Sequence, residues 1–295
     1  ALAGTALTHA DFNVAVGMSS LEADTLGSNS TALGFQTLKN QNFTTATNSF
    51  NVAVGHQAGL SISTGTQNTL VGGLAGDALT TPTNNTAVGY RTLSNETTGQ
   101  NNTAIGYNAL ATSNRTDNTS AYNVAVGSSA GEAITSGVQH VLIGGLAGDA
   151  LTEGNSNIAI GKGALTTDTL GSNAVAIGKE ALATQNFTTA TTNYNVGVGY
   201  EAGKQITTGV QNTLVGGLSG DALTVGTSNV ALGYNALTTD VKGDTSVAIG
   251  VSALQTQNFT TATNSFNTAV GFEAGYGITT GVRNTLIGGR AGDAL

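Results

Sequence analysis

The 295-residue chain contains no cysteine and no tryptophan, one proline (Pro82) and one methionine (Met18). Without cysteine there can be no disulfide and no thiolate metal site, so stability must come from packing and backbone hydrogen bonds. Charge is equally scarce: Asp, Glu, Lys and Arg make up 9% of the residues, against roughly 25% in typical soluble proteins. Nine Lys and Arg and a net charge of −8 leave nothing to neutralise a phosphate backbone or to attract an anionic membrane surface. Nowhere does an apolar run approach the ~18 residues of a membrane-spanning helix. Nucleic-acid binding and membrane insertion of this segment are therefore not expected.

What is present is glycine (42 residues), with Asn, Thr and Ala filling much of the rest and apolar residues at 39%. A five-residue phrase, Asn-x-Ala-(Val/Ile/Leu)-Gly, recurs sixteen times, with glycines at Gly17, Gly34, Gly55, Gly72, Gly89 and onward to Gly288. Successive steps are 17, 21, 17 and 17 residues, which makes a 72-residue superrepeat. Self-similarity on this scale identifies a solenoid. The expected organisation is all-β: a parallel β-solenoid of about 17 short coils, read as a single continuous repeat array over 1–295 with four superrepeats. The chain begins and ends at the same phase with no atypical terminal unit, so it is expected to be a window of a longer repetitive polypeptide.

Within a phrase such as Asn51-Val52-Ala53-Val54-Gly55, alternation puts the two valines on one strand face and Asn51 and Ala53 on the other. The fourth position is always Val, Ile or Leu and is expected to face a core. The third is mostly Ala but becomes Leu in every fourth coil (Leu70, Leu142, Leu214, Leu286). A strand apolar on both faces is usually covered on both: one cover is the coil interior, the other a neighbouring subunit. A second short strand is expected over Ala109-Leu110 or Ala202-Gly203, and Thr-Thr-Gly segments such as Thr97-Thr98-Gly99 are expected to turn the chain. The first position is Asn in twelve units (Asn13, Asn51, Asn68, Asn85, Asn102, Asn123, Asn157, Asn195, Asn212, Asn229, Asn267, Asn284). At the ~4.8 Å spacing of neighbouring strands these amides can form a hydrogen-bonded ladder.

No constellation of catalytic residues recurs at a fixed phase, and neither an enzyme nor a cofactor is expected. His9, His56 and His140 fall at different phases and cannot share a site. Asp77, Asp149, Asp221 and Asp293 do recur, in Gly-Gly-x-(Ala/Ser)-Gly-Asp-Ala-Leu (with Arg290 in place of the x residue before the last). Four coils apart, they cannot jointly supply the six to eight oxygens of a calcium site, and they read as turn caps. The expansion inside each 21-residue step carries aromatics: Phe43 and Phe50, Phe187 and Tyr194, Phe259 and Phe266, with Arg115 and Tyr122 in the second copy. Exposed, such residues suit contact with a glycan or protein; the alternative is that they cover an apolar seam or a neighbouring chain. Ice binding needs regular Thr-x-Thr on an outward strand, whereas Thr here is concentrated in turns.

Ser246-Val247-Ala248-Ile249-Gly250 and Ala174-Val175-Ala176-Ile177-Gly178-Lys179-Glu180-Ala181 resemble the head repeat of trimeric autotransporter adhesins of the YadA type. The Asn85–Tyr90 variant is similar to repeats of phage tail fibres and large bacterial surface proteins. This resemblance spans the chain, although the family repeat is commonly shorter than this chain's 17 residues and lacks the regular 21-residue coil. It implies a left-handed β-roll packed with identical chains, three about an axis, displayed at a cell surface or on a virion. The expected function is then a structural shaft or filament segment of an extracellular attachment fibre. Direct glycan or receptor binding by the aromatic bulges is the alternative.

Overall fold

The computed structural model describes residues 2–294. They contain no helix, and every ladder is parallel. The chain forms two compact units, divided between Leu146 and Ala147. In the first, eight three-residue strands stack in sequence order from Val14–Val16 and Thr31–Leu33 to Val141–Ile143. In the second, eight more run from Ile158–Ile160 to Thr285–Ile287. Each pair aligns phrase with phrase, as in Ala53 opposite Leu70, so one phrase makes one strand and one coil: a parallel β-solenoid.

The phrase glycine is fixed by its backbone. Gly199 has φ +137°, and a Cβ there would lie 2.5 Å from the carbonyl oxygen of Gly216 in the next coil. Beyond it the chain turns through two residues in the left-handed region. Leu110 (φ 51°) and Gly203 (φ 60°) occupy the second of these positions. The second strand expected over Ala109-Leu110 and Ala202-Gly203 is therefore a turn: alternating left-handed residues cannot lie in an extended ladder. Additional strands occur only at the expansions, where Gly27–Ser28 pairs with Thr47–Asn48, and likewise Gly171–Ser172 with Thr191–Thr192 and Gly243–Asp244 with Thr263–Asn264.

The fourth phrase position does not line the interior. The fully buried residues are those at the third, Ala53, Leu70, Ala87 and their equivalents, packed against turn residues such as Leu38, Ile62, Leu79 and Leu93. Val, Ile and Leu at the fourth position point outward, half-buried or exposed, from Leu33 and Ile105 to Ile287 at 72%. The coil is narrow, and a leucine from the turn already fills the space opposite an alanine.

That interior comes in two forms. Four residues after the phrase glycine the chain reads Leu21, Leu38, then Gly59, Gly76, and repeats this pattern. Seven residues after it, Leu coils carry a polar side chain (Asp24, Gln41) and Gly coils an aliphatic one (Ile62, Leu79). The glycines make room: a Cβ at Gly203 would meet Leu214 Cδ1 at 2.7 Å and Leu182 Cδ2 at 2.8 Å. Leu at the third position therefore belongs to a coil whose turn carries Gly.

Candidate interaction surface and the buried polar core

Ten of the twelve first-position asparagines are buried, Asn13 and Asn284 being half-buried, and they are joined within each unit. Asn68 donates its backbone N–H to Asn51 Oδ1 (3.0 Å), Asn85 to Asn68 Oδ1 (3.1 Å) and Asn102 to Asn85 Oδ1 (2.9 Å). Most Nδ2 groups also reach a loop carbonyl, as Asn68 does to Pro82 O, whereas Asn102 Nδ2 is buried without a partner. Asn123 follows Asn102, and the second unit repeats the arrangement from Asn157 to Ala174 N, then through Asn195, Asn212 and Asn229, and from Asn267 to Asn284. Asn13 accepts from Ser30 N. These side chains hold coil to coil.

The aromatics of the expansions divide into two sets. Phe43, Phe187 and Phe259 are buried, at 5–6% exposure, and cannot be loop tips. The Phe43 ring packs where Gly27 lacks a side chain, 2.7 Å from the Cβ that would be there. Phe50, Tyr122, Tyr194 and Phe266 are 52–59% exposed. Arg115, in the place of the buried Phe, is tied to Ser136 O, Asp117 and Thr119.

Asp149 accepts from Thr166 and Asp221 from Thr238, whereas Asp77 Oδ1 is buried without a hydrogen-bond partner. Burial pushes the Asp77 and Asp221 carboxyls above the usual range. Asp293 donates its backbone N–H to Arg290 O. Among the described residues no three His, Asp or Glu gather closely enough to hold a metal ion. His56 stacks on Phe35 (5.2 Å), and His140 is buried at a ladder position.

Two features escaped the sequence reading. One is an outward column directly after the phrase glycine, where Tyr90 stacks on Tyr107 (5.9 Å) and Lys179 lies over Tyr200, while Phe272 is covered by Arg290, two residues after the next phrase glycine. Its signal was present in the Gly-Tyr and Gly-Phe pairs. The other is a fully buried acid in each superrepeat: Asp24, Glu96, Asp168 and Asp240. Asp24 Oδ1 accepts from Gly27 N (3.0 Å) and Phe43 N (3.3 Å), and Oδ2 accepts from Gln41 Nε2 (2.6 Å). Gln41 Oε1 in turn accepts from Asn51 Nδ2 (2.8 Å). Asp168 with Gln185, and Asp240 with Gln257, repeat this geometry. Glycine is required beside the acid, because a Cβ at Gly171 would lie 2.1 Å from Asp168 Oδ2.

Both oxygens of these carboxylates are hydrogen-bonded, to their own coil and to the next. The accessible chemistry of the molecule is on the outside: the Val/Ile/Leu face, the column after the phrase glycine and the aromatic row at the expansions. Compared with known proteins, the chain matches no family model, no curated protein and no solved structure.

Proposed function

We propose that this chain is a structural shaft or filament segment of an extracellular attachment fibre, in which identical chains, three in the favoured arrangement, associate through their outward strand faces. The observation that carries this reading is the outward face itself. At the second and fourth phrase positions all sixteen strands present Val, Ile, Leu or Thr and no charge. Eight strands at ~4.8 Å, each about 10 Å wide, give a patch on the order of 300–400 Å² per unit. A patch of that size matches the largest apolar patch of a typical monomer, which is often functional. The partner that best fits a face repeating every 72 residues is one with the same period, another copy of this chain. The YadA-type resemblance supports the same arrangement and an extracellular location.

The test is the molar mass in solution by light scattering, alone and with lysine at Ile160 and Ile177. A defined oligomer is expected for the parent. The lysine variant should become monomeric with an unchanged far-ultraviolet circular dichroism spectrum, since both side chains lie outside the coil interior. A parent that remains a stable monomer at high concentration would overturn the reading.

A further inference from the structure

The four superrepeats amount to four natural versions of one buried network, and their differences are correlated. Where the acid is Asp (Asp24, Asp168, Asp240) its partner one coil later is Gln (Gln41, Gln185, Gln257). Where the acid is the longer Glu96, the partner is the shorter Ser113, donating to Glu96 Oε2 at 2.6 Å. Glu96 Oε1 meanwhile keeps the two backbone donors, Gly99 N and Arg115 N. A methylene gained on one coil is offset by atoms lost on the next.

A second exchange runs beside the first. The backbone N–H that starts the phrase of the 21-residue coil (Asn51, Asn123, Asn195, Asn267) needs a buried acceptor. In the second superrepeat Asn102, on the preceding coil, supplies it (3.2 Å), and the expansion carries the inert Ala121. In the third the preceding coil has Ala174, which cannot accept, and Asn193 of the expansion supplies it instead (2.9 Å). In the first and fourth the two positions are Ser30 with Ser49 and Ser246 with Ser265, hydrogen-bonded to each other, and Ser49 or Ser265 accepts the N–H. Asn102 and Asn193 each leave Nδ2 buried without a partner, so neither asparagine is present for the sake of its own amide.

We propose that these networks are matching elements, by which each 17-residue coil recognises the 21-residue coil that follows it over those of the neighbouring superrepeats; the first and fourth superrepeats, three apart, share one set. Recognition of this kind answers a problem inherent to the array. Corresponding coils one superrepeat apart share the Leu or Gly of the turn and nearly the same phrase residues, with Gly197 for Ala and Arg115 for the buried Phe as the exceptions, so burial of apolar surface distinguishes them only at those two places. The polar halves do distinguish them. The coil of Asp24 and Ser30, set on the expansion of Ser113 and Ala121, would leave a gap beside the acid and no side-chain acceptor for Asn123 N–H. The inference concerns the packing of one chain and stands whether or not copies associate.

The decisive experiment exchanges halves in the third superrepeat of the full chain, with amide hydrogen exchange read at Asn195 and Phe187. Asn193→Ala alone removes the only acceptor of Asn195 N–H and should speed exchange there by about tenfold or more, the effect of losing one buried hydrogen bond. Adding Ala174→Asn recreates the Asn102/Ala121 pair and should return exchange to near the parent rate. In parallel, Gln185→Ser should speed exchange at Phe187, and Asp168→Glu added to it should restore protection by recreating the Glu96/Ser113 pair. Single variants that behave as the parent, or double variants no better than the worse single, would overturn the proposal. Any variant that loses the parent's circular dichroism is replaced by the same exchange at Asp240/Gln257.

Discussion

Around Leu38 and Gln41 the coil interior holds a leucine beside a hydrogen-bonded polar side chain; around Gly59 and Ile62 it holds a glycine beside an isoleucine. The two kinds alternate in pairs through each unit, within one strand pattern and one turn geometry. In the Gly coils, interlocked shape decides the packing: Leu70 enters the space left by Gly59 and Gly76, closed by Ile62 and Leu79. In the Leu coils, hydrogen bonding decides it, because Asp24 and Gln41 are fully buried and must satisfy each other and the nearby backbone. Aliphatic packing tolerates substitution of similar volume. A buried polar set tolerates only a matched exchange, and that is what the four copies contain.

The largest expected difference separates loss of aliphatic volume from loss of a polar partner. Ile206→Ala in a Gly coil should cost about 2–5 kcal/mol, the range for a cavity in a close-packed core. Gln257→Ala in a Leu coil should cost about 1–3 kcal/mol, through the unpaired donor and acceptor sites it leaves. Urea unfolding followed by circular dichroism ranks the two. If Gln257→Ala proves the costlier, hydrogen bonding outweighs volume in both kinds of coil, and the distinction drawn between them fails.

A smaller effect comes from converting one kind toward the other. Gly203→Leu keeps a backbone conformation that leucine already adopts at Leu182 (φ 49°), so its cost reports overpacking against Leu214, Leu182 and Ile206, about 1–3 kcal/mol. Leu214→Ala in the same chain restores the Leu-with-Ala combination of the neighbouring coils and should recover the part of that loss due to Leu214. A double variant as unstable as the sum of the singles would mean that the two columns are not coupled.

How far the sequence could be read follows from the same contrast. The sixteen phrases and their 17 and 21 steps were enough for the parallel solenoid, because a phrase of fixed pattern can stack only on its own equivalent. Which face turned inward was not legible: Ala53 and Val54 are both apolar, and alternation alone does not say which fills the coil. The larger residue was assigned to a core, yet the narrow interior took the smaller, since Leu38 and its equivalents arrive from the turn. Phe43 admits two readings on its loop position, surface contact or cover for an apolar seam; Gly27 in the preceding coil opens the space that buries it. Asp24, Glu96, Asp168 and Asp240 recur 72 residues apart in plain view. They were missed because their roles are defined by partners one coil away that change with them.

The smallest effect is the dependence on pH, and it tests what the polar coils cost. Burial pushes the Asp168 and Asp240 carboxyls above their ordinary 3.8, and the surrounding N–H donors pull them only part of the way back. A folded-state value above the unfolded one means that the folded chain binds these protons more tightly. Their contribution to stability is therefore full below the unfolded value near 3.8 and is lost as pH rises through the folded value. Asp221, raised by burial as well, acts with the same sign. Asparagine cannot ionise, so the double variant Asp168→Asn/Asp240→Asn should lose less stability than the parent as pH rises from about 4 towards neutrality. Urea midpoints at several pH values measure this directly. A parent that instead gains stability across that window, through these two residues, would mean that the N–H donors outweigh burial. The polar coils would then be held together by their charge rather than in spite of it.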